Sequence, residues 1–329
     1  MEDHANNGND GGGDGRDIFI YRGGRAPHNV THVRIDKSVE VIEDRAFDGC
    51  ARLVQVETHD GIRKVGKKAF YYCISVRSIV LRSVVGIGSQ AFQGCKNLTD
   101  VKFGDKLETI GIYAFDGCRS LQRLKLPSII TVTAGAFVYC KALTSIEFSD
   151  RLETIESHAF SGCERLQRIT IPLKRRLFPI DPHRQEYNQF NYCDQIITVD
   201  LVGGAHNKTI ASLHMESWRI EMIEEINRIN QVLPDIDRQQ KTDEIKQWMD
   251  SVIDKMDHYK AEHHRYVKEA VNLLELAFWK AKLAEKEENS VERKTKKVKL
   301  DAKSVRKEKR VTCGADMVIK NVLPFLKLQ

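Results

Sequence analysis

One phrase that occurs twice constrains this chain more than any other feature. Residues 105–127 read DKLETIGIYAFDGCRSLQRLKLP, and residues 150–172 read DRLETIESHAFSGCERLQRITIP. A shorter unit, Ala-Phe followed by Cys, recurs every 22 or 23 residues. A fixed period of this length is typical of solenoids, in which each coil contacts only its neighbours. The six copies end in Cys50, Cys73, Cys95, Cys118, Cys140 and Cys163, and a degenerate seventh carries Phe190 and Cys193.

Each coil repeats one order of apolar positions. After Cys95, Val101 and Phe103 alternate with polar residues, which predicts a strand with one buried face. Ile110 follows at a turn, and Phe115 is expected to fill the interior between coils. Because a single coil cannot bury enough apolar surface to offset its ordering, we expect stability to come from stacking.

The residue before each cysteine predicts the backbone of the turn. Glycine occupies this position in four coils, and we expect it to end a helical turn with a positive φ. Tyr72, Tyr139 and Tyr192 occupy it in the other coils. From these tyrosines we predict that a positive φ is not required in every coil.

The repeats from about Val30 to Leu201 resemble the BspA-like class of leucine-rich repeats. The apolar, Ala-Phe and Cys positions of residues 107–127 follow that class closely, with Ile110-Gly111, Ala114-Phe115 and Cys118 in order. The resemblance implies an α/β repeat fold, a parallel β solenoid with short helical turns on its convex side. It also implies a role in protein–protein or surface recognition, with no catalytic residues to transfer.

The period becomes helical near Ser212. Stretches beginning near Ser212, near Thr242 as an N-cap, and around His263 predict a helical hairpin or bundle, which either caps the solenoid or self-associates. The predicted organisation is a disordered leader (1–17), a leucine-rich-repeat solenoid of about seven coils (18–204), an α-helical region (205–286), a basic exposed linker (287–312) and a short apolar segment (313–329). The stretch LKRRLFPIDPHRQEYNQ, residues 173–189, is expected to be a loop near the end of the array.

Charge and cysteine usage limit the class of protein. Thirteen Lys/Arg and six Asp/Glu between Lys280 and Arg310 give that window a charge of 13 − 6 = +7, against +6 for the whole chain, so the solenoid is near neutral. The amino-terminal residues show neither a basic flank nor an apolar stretch, and no apolar run approaches the ~18 residues of a membrane span. We therefore expect a cytoplasmic or nuclear protein whose repeat cysteines are buried free thiols.

The outward positions of the predicted strands are the candidate partner-binding residues. They form a ribbon of mixed charge, and ribbons of this kind bind partners in curved repeat arrays. The alternative is a solvated face without a binding role, since the ribbon lacks the Trp and Tyr side chains that often anchor a partner. The residues are Gln55, Glu57, Ser78, Val80, Asp100, Lys102, Arg123, Lys125, Ser145, Glu147, Arg168 and Thr170.

The basic window has the form of a nuclear-import signal. Its alternative is a solvated helix or linker, and direct nucleic-acid binding is disfavoured because no aromatic residue lies between the basic ones. The candidate residues are Arg293, Lys294, Lys296, Lys297, Lys299, Arg306, Lys307, Lys309 and Arg310.

The sequence contains no motif for catalysis or for a bound cofactor. The pairs His263-His264 and His28/His32 could suggest a metal site, but no HExxH motif and no nearby cysteine pair accompanies them, so surface histidines are the favoured interpretation. No nucleophile elbow is present. We therefore predict a non-enzymatic scaffold that binds another protein, without cofactor or metal and with an unknown oligomeric state. The alternative is a nuclear, nucleic-acid-associated protein that acts through its basic tail.

Overall fold

The computed structural model describes residues 18–180, 188–204, 210–213 and 215–295, with the backbone alone for residues 286–295. Within them, two series of parallel strands alternate along the chain. The longer strands are β1 (Ile18–Tyr21), β2 (His32–Ile35), β4 (Gln55–Glu57), β6 (Ser78–Leu81), β8 (Asp100–Phe103), β10 (Arg123–Leu126), β12 (Ser145–Phe148), β14 (Arg168–Ile171) and β15 (Thr198–Leu201). The two-residue strands are β3 (Val41–Ile42), β5 (Lys64–Val65), β7 (Gly86–Ile87), β9 (Thr109–Ile110), β11 (Thr131–Val132) and β13 (Thr154–Ile155).

The pairing of these strands confirms the predicted solenoid. Leu124 lies opposite Ile146, and Val132 lies opposite Ile155, so equivalent residues of successive coils are in register. Six coils have both a long and a short strand. The seventh, which ends at Phe190 and Cys193, has the long strand β14 but no second strand among the described residues, and β15 follows Cys193.

A stack of aromatic rings runs through the interior. Phe115 lies 5.0 Å from Phe92 and 5.2 Å from Phe137 between ring centroids, with planes within 7° of parallel. This separation is close to the spacing of paired strands, so one ring per coil fills the interior without a gap. The stack begins at Tyr21 and continues through Phe47, Phe70, Phe92, Phe115, Phe137, Phe160 and Phe190, all fully buried.

The repeat cysteines hold neighbouring coils together. Cys118 Sγ donates a hydrogen bond to the carbonyl oxygen of Phe92, 3.2 Å away in the preceding coil. Cys140 and Cys163 make the same contact to Phe115 and Phe137. The seven described cysteines are buried free thiols, which confirms the predicted packing role. Cys313 lies outside the described residues.

The prediction that tyrosine-containing turns do not need a positive φ is wrong. Tyr72, Tyr139 and Tyr192 have φ values of 54°, 55° and 59°, and the four glycines at this position have values from 70° to 75°. The reason is a backbone contact: Tyr139 N donates to Ser161 O in the next coil, as Gly117 N does to Val138 O. Each coil needs the left-handed conformation to make this hydrogen bond, whichever residue is present.

The tyrosine rings also explain why two of the four glycine-containing coils carry glycine at this position. A Cβ on Gly162 would lie 2.5 Å from Cδ1 of Tyr139, and one on Gly94 would lie 3.1 Å from Cδ1 of Tyr72. The tyrosine ring of one coil therefore covers the Cα of the equivalent residue in the next coil, where only glycine leaves room for the ring. The equivalent residue one coil before Gly117 is Gly94, not a tyrosine. A Cβ on Gly117 would lie 4.0 Å from the nearest atom.

We expect Gly162→Ala to destabilise the protein more than Gly117→Ala. Both changes place alanine at a positive φ, which costs ~1–2 kcal/mol, but only the first displaces a ring. The difference should be roughly 1 kcal/mol by urea unfolding and should disappear in a Tyr139→Ala background. Equal losses for the two glycines would show that the ring contact contributes nothing.

Among the described residues, two long helices follow the solenoid. Helix α1 spans Glu216–Val232, a 3-10 turn spans Leu233–Asp235, and helix α2 spans Lys241–Thr295. The stretches predicted separately near Thr242 and His263 are one helix, which passes the boundary predicted at residue 286. Neither Gly nor Pro occurs within α2, so no helix-breaking residue interrupts it between Lys241 and Thr295.

The chain divides into two compact units. The first contains the solenoid together with residues 222–253, and the second contains residues 209–221 together with those from 254 onward. In the second unit Trp218 stacks on Tyr259 at 5.0 Å. Neither α1 nor α2, as far as they are described, combines the length and apolarity needed to cross a membrane.

Within the first unit, residues 222–253 cap the last coil. The side chain of Asn230 accepts from Val199 N at 2.7 Å and donates to Val199 O at 3.3 Å, which covers the open edge of β15. Lys241 Nζ donates to Ile196 O at 2.8 Å and to Leu233 O at 3.0 Å. Burial lowers the pKa of this ammonium group, which is 1% exposed.

Thr242 does not act as the predicted N-cap. The helix begins one residue earlier, and the Thr242 hydroxyl accepts a hydrogen bond from Phe190 N in the seventh coil. Trp248 Nε1 donates to Glu225 O, which ties α2 to α1 within the same unit. The sequence left open whether the helical region caps the solenoid, and these contacts show that part of it does.

Candidate functional site

The outward side chains of the long strands form one continuous surface, here called the strand face. In β10, Leu124 and Leu126 point into the core and are nearly inaccessible, whereas Arg123 and Lys125 are exposed. This alternation follows from the period of two in a strand. The same alternation places all twelve predicted partner-binding residues on the strand face.

Parallel register arranges the strand face in two rows. Arg123, Ser145, Arg168 and Thr198 lie opposite one another in one row. The second row contains Lys125, Glu147, Thr170 and Asp200. Farther toward the amino terminus, Ser78 pairs with Asp100, and Val80 with Lys102. The backbone ladder is interrupted between β4 and β6 and between β8 and β10, so the face consists of three hydrogen-bonded groups of strands.

Ion pairs cross both ends of the strand face. Arg34 pairs with Glu57 at 2.7 Å, and Arg168 pairs with Asp200 at 2.9 Å. Lys125 pairs with Glu147 at 2.8 Å. These side chains are exposed, so each pair stabilises the fold by at most about 1 kcal/mol.

The centre of the strand face has a different electrostatic character. Asp100, Lys102 and Arg123 make no ion pair within the described part of the chain. They lie on neighbouring strands β8 and β10, between the paired charges of the two ends. Their charges are therefore available to groups outside the molecule.

A second set of exposed residues was missed by the sequence analysis. Tyr72, Tyr113, Tyr139 and Tyr192 lie on the turn side of the coils and are each 42–54% exposed. Tyr192 also lies under the Arg238 guanidinium, 5.1 Å from its ring centroid. For Tyr72, Tyr139 and Tyr192 the signal was visible as tyrosine in place of glycine before the cysteine, but their positive φ was not anticipated. Tyr113 precedes Ala114 and gave no such signal.

The chemistry of the buried thiols excludes them as nucleophiles. Burial raises the pKa of Cys95 to about 12 and that of Cys50 to about 11. The thiolate is the reactive form, and it is negligible at neutral pH for such groups. Among the residues that the structure describes, no three His, Cys, Asp or Glu side chains are grouped to hold a metal ion.

Several predicted segments fall partly or wholly outside the described residues. Arg293 and Lys294 belong to the last turn of α2, where only the backbone is described, and the other import-signal residues, from Lys296 to Arg310, lie outside, as do the leader and the segment 313–329. The import signal therefore stays a prediction. In the described half of the loop 173–189, Leu177 is buried and its carbonyl oxygen accepts from Ile155 N at 2.8 Å, so this part packs against β13.

Solved structures similar to the chain are bacterial leucine-rich repeat proteins. The T. pallidum leucine-rich repeat protein is 35% identical, with a TM-score of 0.38, over 41% of this chain and 64% of its own length. A leucine-rich repeat protein from Bacteroides ovatus is 21% identical, with a TM-score of 0.34, over 53% of this chain and 55% of its own. The chain thus spans less than two thirds of either protein, and no curated protein matches it.

A family model matches a larger part of the chain. The model for the BspA type leucine-rich repeat region matches in six copies, across residues 26–132, 65–196 and 117–232. These ranges cover the repeated coils, the ring stack from Phe47 to Phe190 and the strands from β2 to β15. The chain belongs to the BspA-type leucine-rich repeat family.

Proposed function

We propose that this protein is a non-enzymatic scaffold that binds another protein through its strand face. The observation that carries the proposal is the pair of exposed parallel rows, one residue of each row per coil. Seven strands from β4 to β15 at ~4.8 Å each give a surface about 30 Å long, which suits an extended or helical segment of a partner. Proteins of the leucine-rich repeat family generally act as scaffolds for binding other proteins, which supports this role.

The centre of the strand face is the part proposed to contribute most. Arg123 and Lys102 have no carboxylate partner in the described chain, and arginine is enriched among residues that dominate binding energy. A partner that pairs with them would not have to break an existing ion pair. The paired charges at the two ends would then act as a polar rim that sets the register.

Site-specific photo-crosslinking in the full chain tests this proposal. A photoreactive residue in place of Arg123 should yield a defined crosslinked partner, whereas one in place of Lys96, exposed on the turn side, should not. Adding Lys102→Glu to the Arg123 probe should reduce the yield about tenfold or more, because removing a charge pair at an interface costs over ~1.4 kcal/mol. Equal yields at the two positions, or a partner recovered from Lys96 alone, would contradict binding through the strand face.

A further inference from the structure

The carboxyl-terminal part of α2 carries an unusual amount of exposed apolar surface. Trp279 is 69% exposed and Phe278 is 68% exposed. Five further large apolar side chains between residues 266 and 283 are 37–56% exposed. These five are Tyr266, Val271, Leu273, Leu276 and Leu283.

Three of the seven side chains share one side of the helix. At ~100° per residue, Leu276, Trp279 and Leu283 lie within about 60° of one another, whereas Val271 and Phe278 lie on another side. Each of the three is more than half exposed. Grouped apolar side chains on a surface often mark a site of association.

Part of the exposed surface has the spacing of a helix–helix contact. Leu276, Trp279 and Leu283 follow one another at i, i+3 and i+7, which places them on one side of α2. We call this group the Leu-Trp stripe. Glu275 and Lys280 flank it, and they are five residues apart, the separation of residues that pair across a two-stranded coiled coil.

The charges around the Leu-Trp stripe favour a second copy of the same helix. Three lysines and three glutamates lie between Tyr266 and Glu285, so this surface has no net charge and does not repel its own copy. None of the six makes an ion pair within the described residues, and only Glu269 interacts with a charge of its own helix, that of Arg265. The other five are free to pair between copies. They are Lys268, Glu269, Glu275, Lys280, Lys282 and Glu285.

We infer that the protein self-associates through α2, with the Leu-Trp stripe of one copy packed against the same helix of a second. The association buries Trp279 and Leu276 and pairs Glu275 of one copy with Lys280 of the other. This inference does not depend on the proposed function, because the strand face lies on the solenoid and α2 does not contribute to it.

Analytical ultracentrifugation of the full chain tests the inference. The wild-type protein is expected to sediment with at least twice its chain mass of 37.6 kDa and to dissociate on dilution. Leu276→Gln with Trp279→Gln should weaken association at least about 100-fold, since two apolar side chains lose ~1.5–3 kcal/mol of burial each. The control Ile112→Gln removes an exposed apolar side chain from the solenoid and should change nothing.

A charge swap keeps the test valid if the glutamine variant unfolds. Glu275→Lys alone should weaken association several-fold, and adding Lys280→Glu should restore it, because both side chains are exposed in the single chain. A wild-type protein that stays at 37.6 kDa at every concentration, or a glutamine variant that is folded and associates as strongly, overturns the inference.

Crosslinking distinguishes other occupants of the same surface. A photoreactive residue in place of Leu283, within the Leu-Trp stripe, should yield a crosslink between two copies. A crosslink confined to residues 313–329 of the same chain would show that the apolar terminal segment covers the stripe, and would overturn the inference. Crosslinking only to lipid in anionic phosphatidylserine vesicles would overturn it as well.

Discussion

Raising the pH above about 9 is expected to unfold this protein steeply. Burial raises the pKa of the repeat thiols, to about 11 for Cys50, to about 12 for Cys95, and well above the usual range for Cys118. In the unfolded chain these thiols titrate near pH 8.5. A pKa raised by folding stabilises the folded state fully below the unfolded value, and that stability is lost as the pH rises toward the folded value.

The size of the effect follows from the number of thiols. Above the unfolded-state pKa, each thiol that is ionised only in the unfolded state lowers the free energy of unfolding by ~1.4 kcal/mol per pH unit. The seven buried cysteines together cost up to roughly 10 kcal/mol per pH unit, comparable to the whole stability of a typical domain. Unfolding should therefore be complete within about one or two pH units above the unfolded pKa.

Circular dichroism and thiolate absorbance, followed together from pH 7 to pH 11, check this expectation. The two signals should change at the same pH, because the thiols ionise only when the coils open. Cys118→Ala should make the pH dependence shallower by about one seventh, since one titrating group is removed. Thiolate absorbance that rises well before the helical and strand signals fall would show that the thiols ionise in the folded protein.

Replacing a ring in the middle of the aromatic stack is expected to destabilise the whole array. Phe115 is fully buried between Phe92 and Phe137, with Phe103 edge-on at 6.0 Å. Phe115→Ala should cost ~3–5 kcal/mol, the sum of lost apolar transfer and of the cavity left behind. The exposed residue Ile112 of the same coil gives the control Ile112→Ala, which should cost no more than about 1 kcal/mol.

Hydrogen exchange should show how far the Phe115→Ala defect spreads. Phe92 N donates to Ala114 O, and Phe115 N donates to Ala136 O, so the coils on both sides share backbone hydrogen bonds with the altered one. Amides in both neighbouring coils are expected to lose protection. Loss of protection restricted to the coil of Phe115 would contradict a core held together by stacking.

The interior of the solenoid was predictable from the sequence. Phe115 and Cys118 recur at equivalent positions in every coil, and each copy has the same environment, one coil above and one below. The alternation around Leu124 likewise placed Arg123 and Lys125 on the outer face before any contact was known. Periodic residues carry this information because the period of the sequence equals the period of the structure.

The turn geometry could not be predicted from the sequence and became clear only from the tertiary structure. A positive φ at Tyr139 is unfavourable for the residue by itself, and it is adopted because Tyr139 N bonds to Ser161 O in the next coil. Gly162 likewise has its identity set by a ring 23 residues earlier. Local propensity does not include such contacts between coils.

In the helical region, too, some features were predictable from the sequence and others were not. Its helical character and the absence of glycine and proline from Asp235 to Cys313 were readable from the sequence, but helix boundaries were not, so α2 was predicted as two stretches. The cap depends on Asn230 and Lys241 meeting backbone groups of Val199 and Ile196. A single side chain that bonds to a distant backbone group does not recur along the sequence, so it cannot be recognised from a repeat. The sequence therefore determined the coils and the helices, whereas only the tertiary structure decided how the last coil is closed.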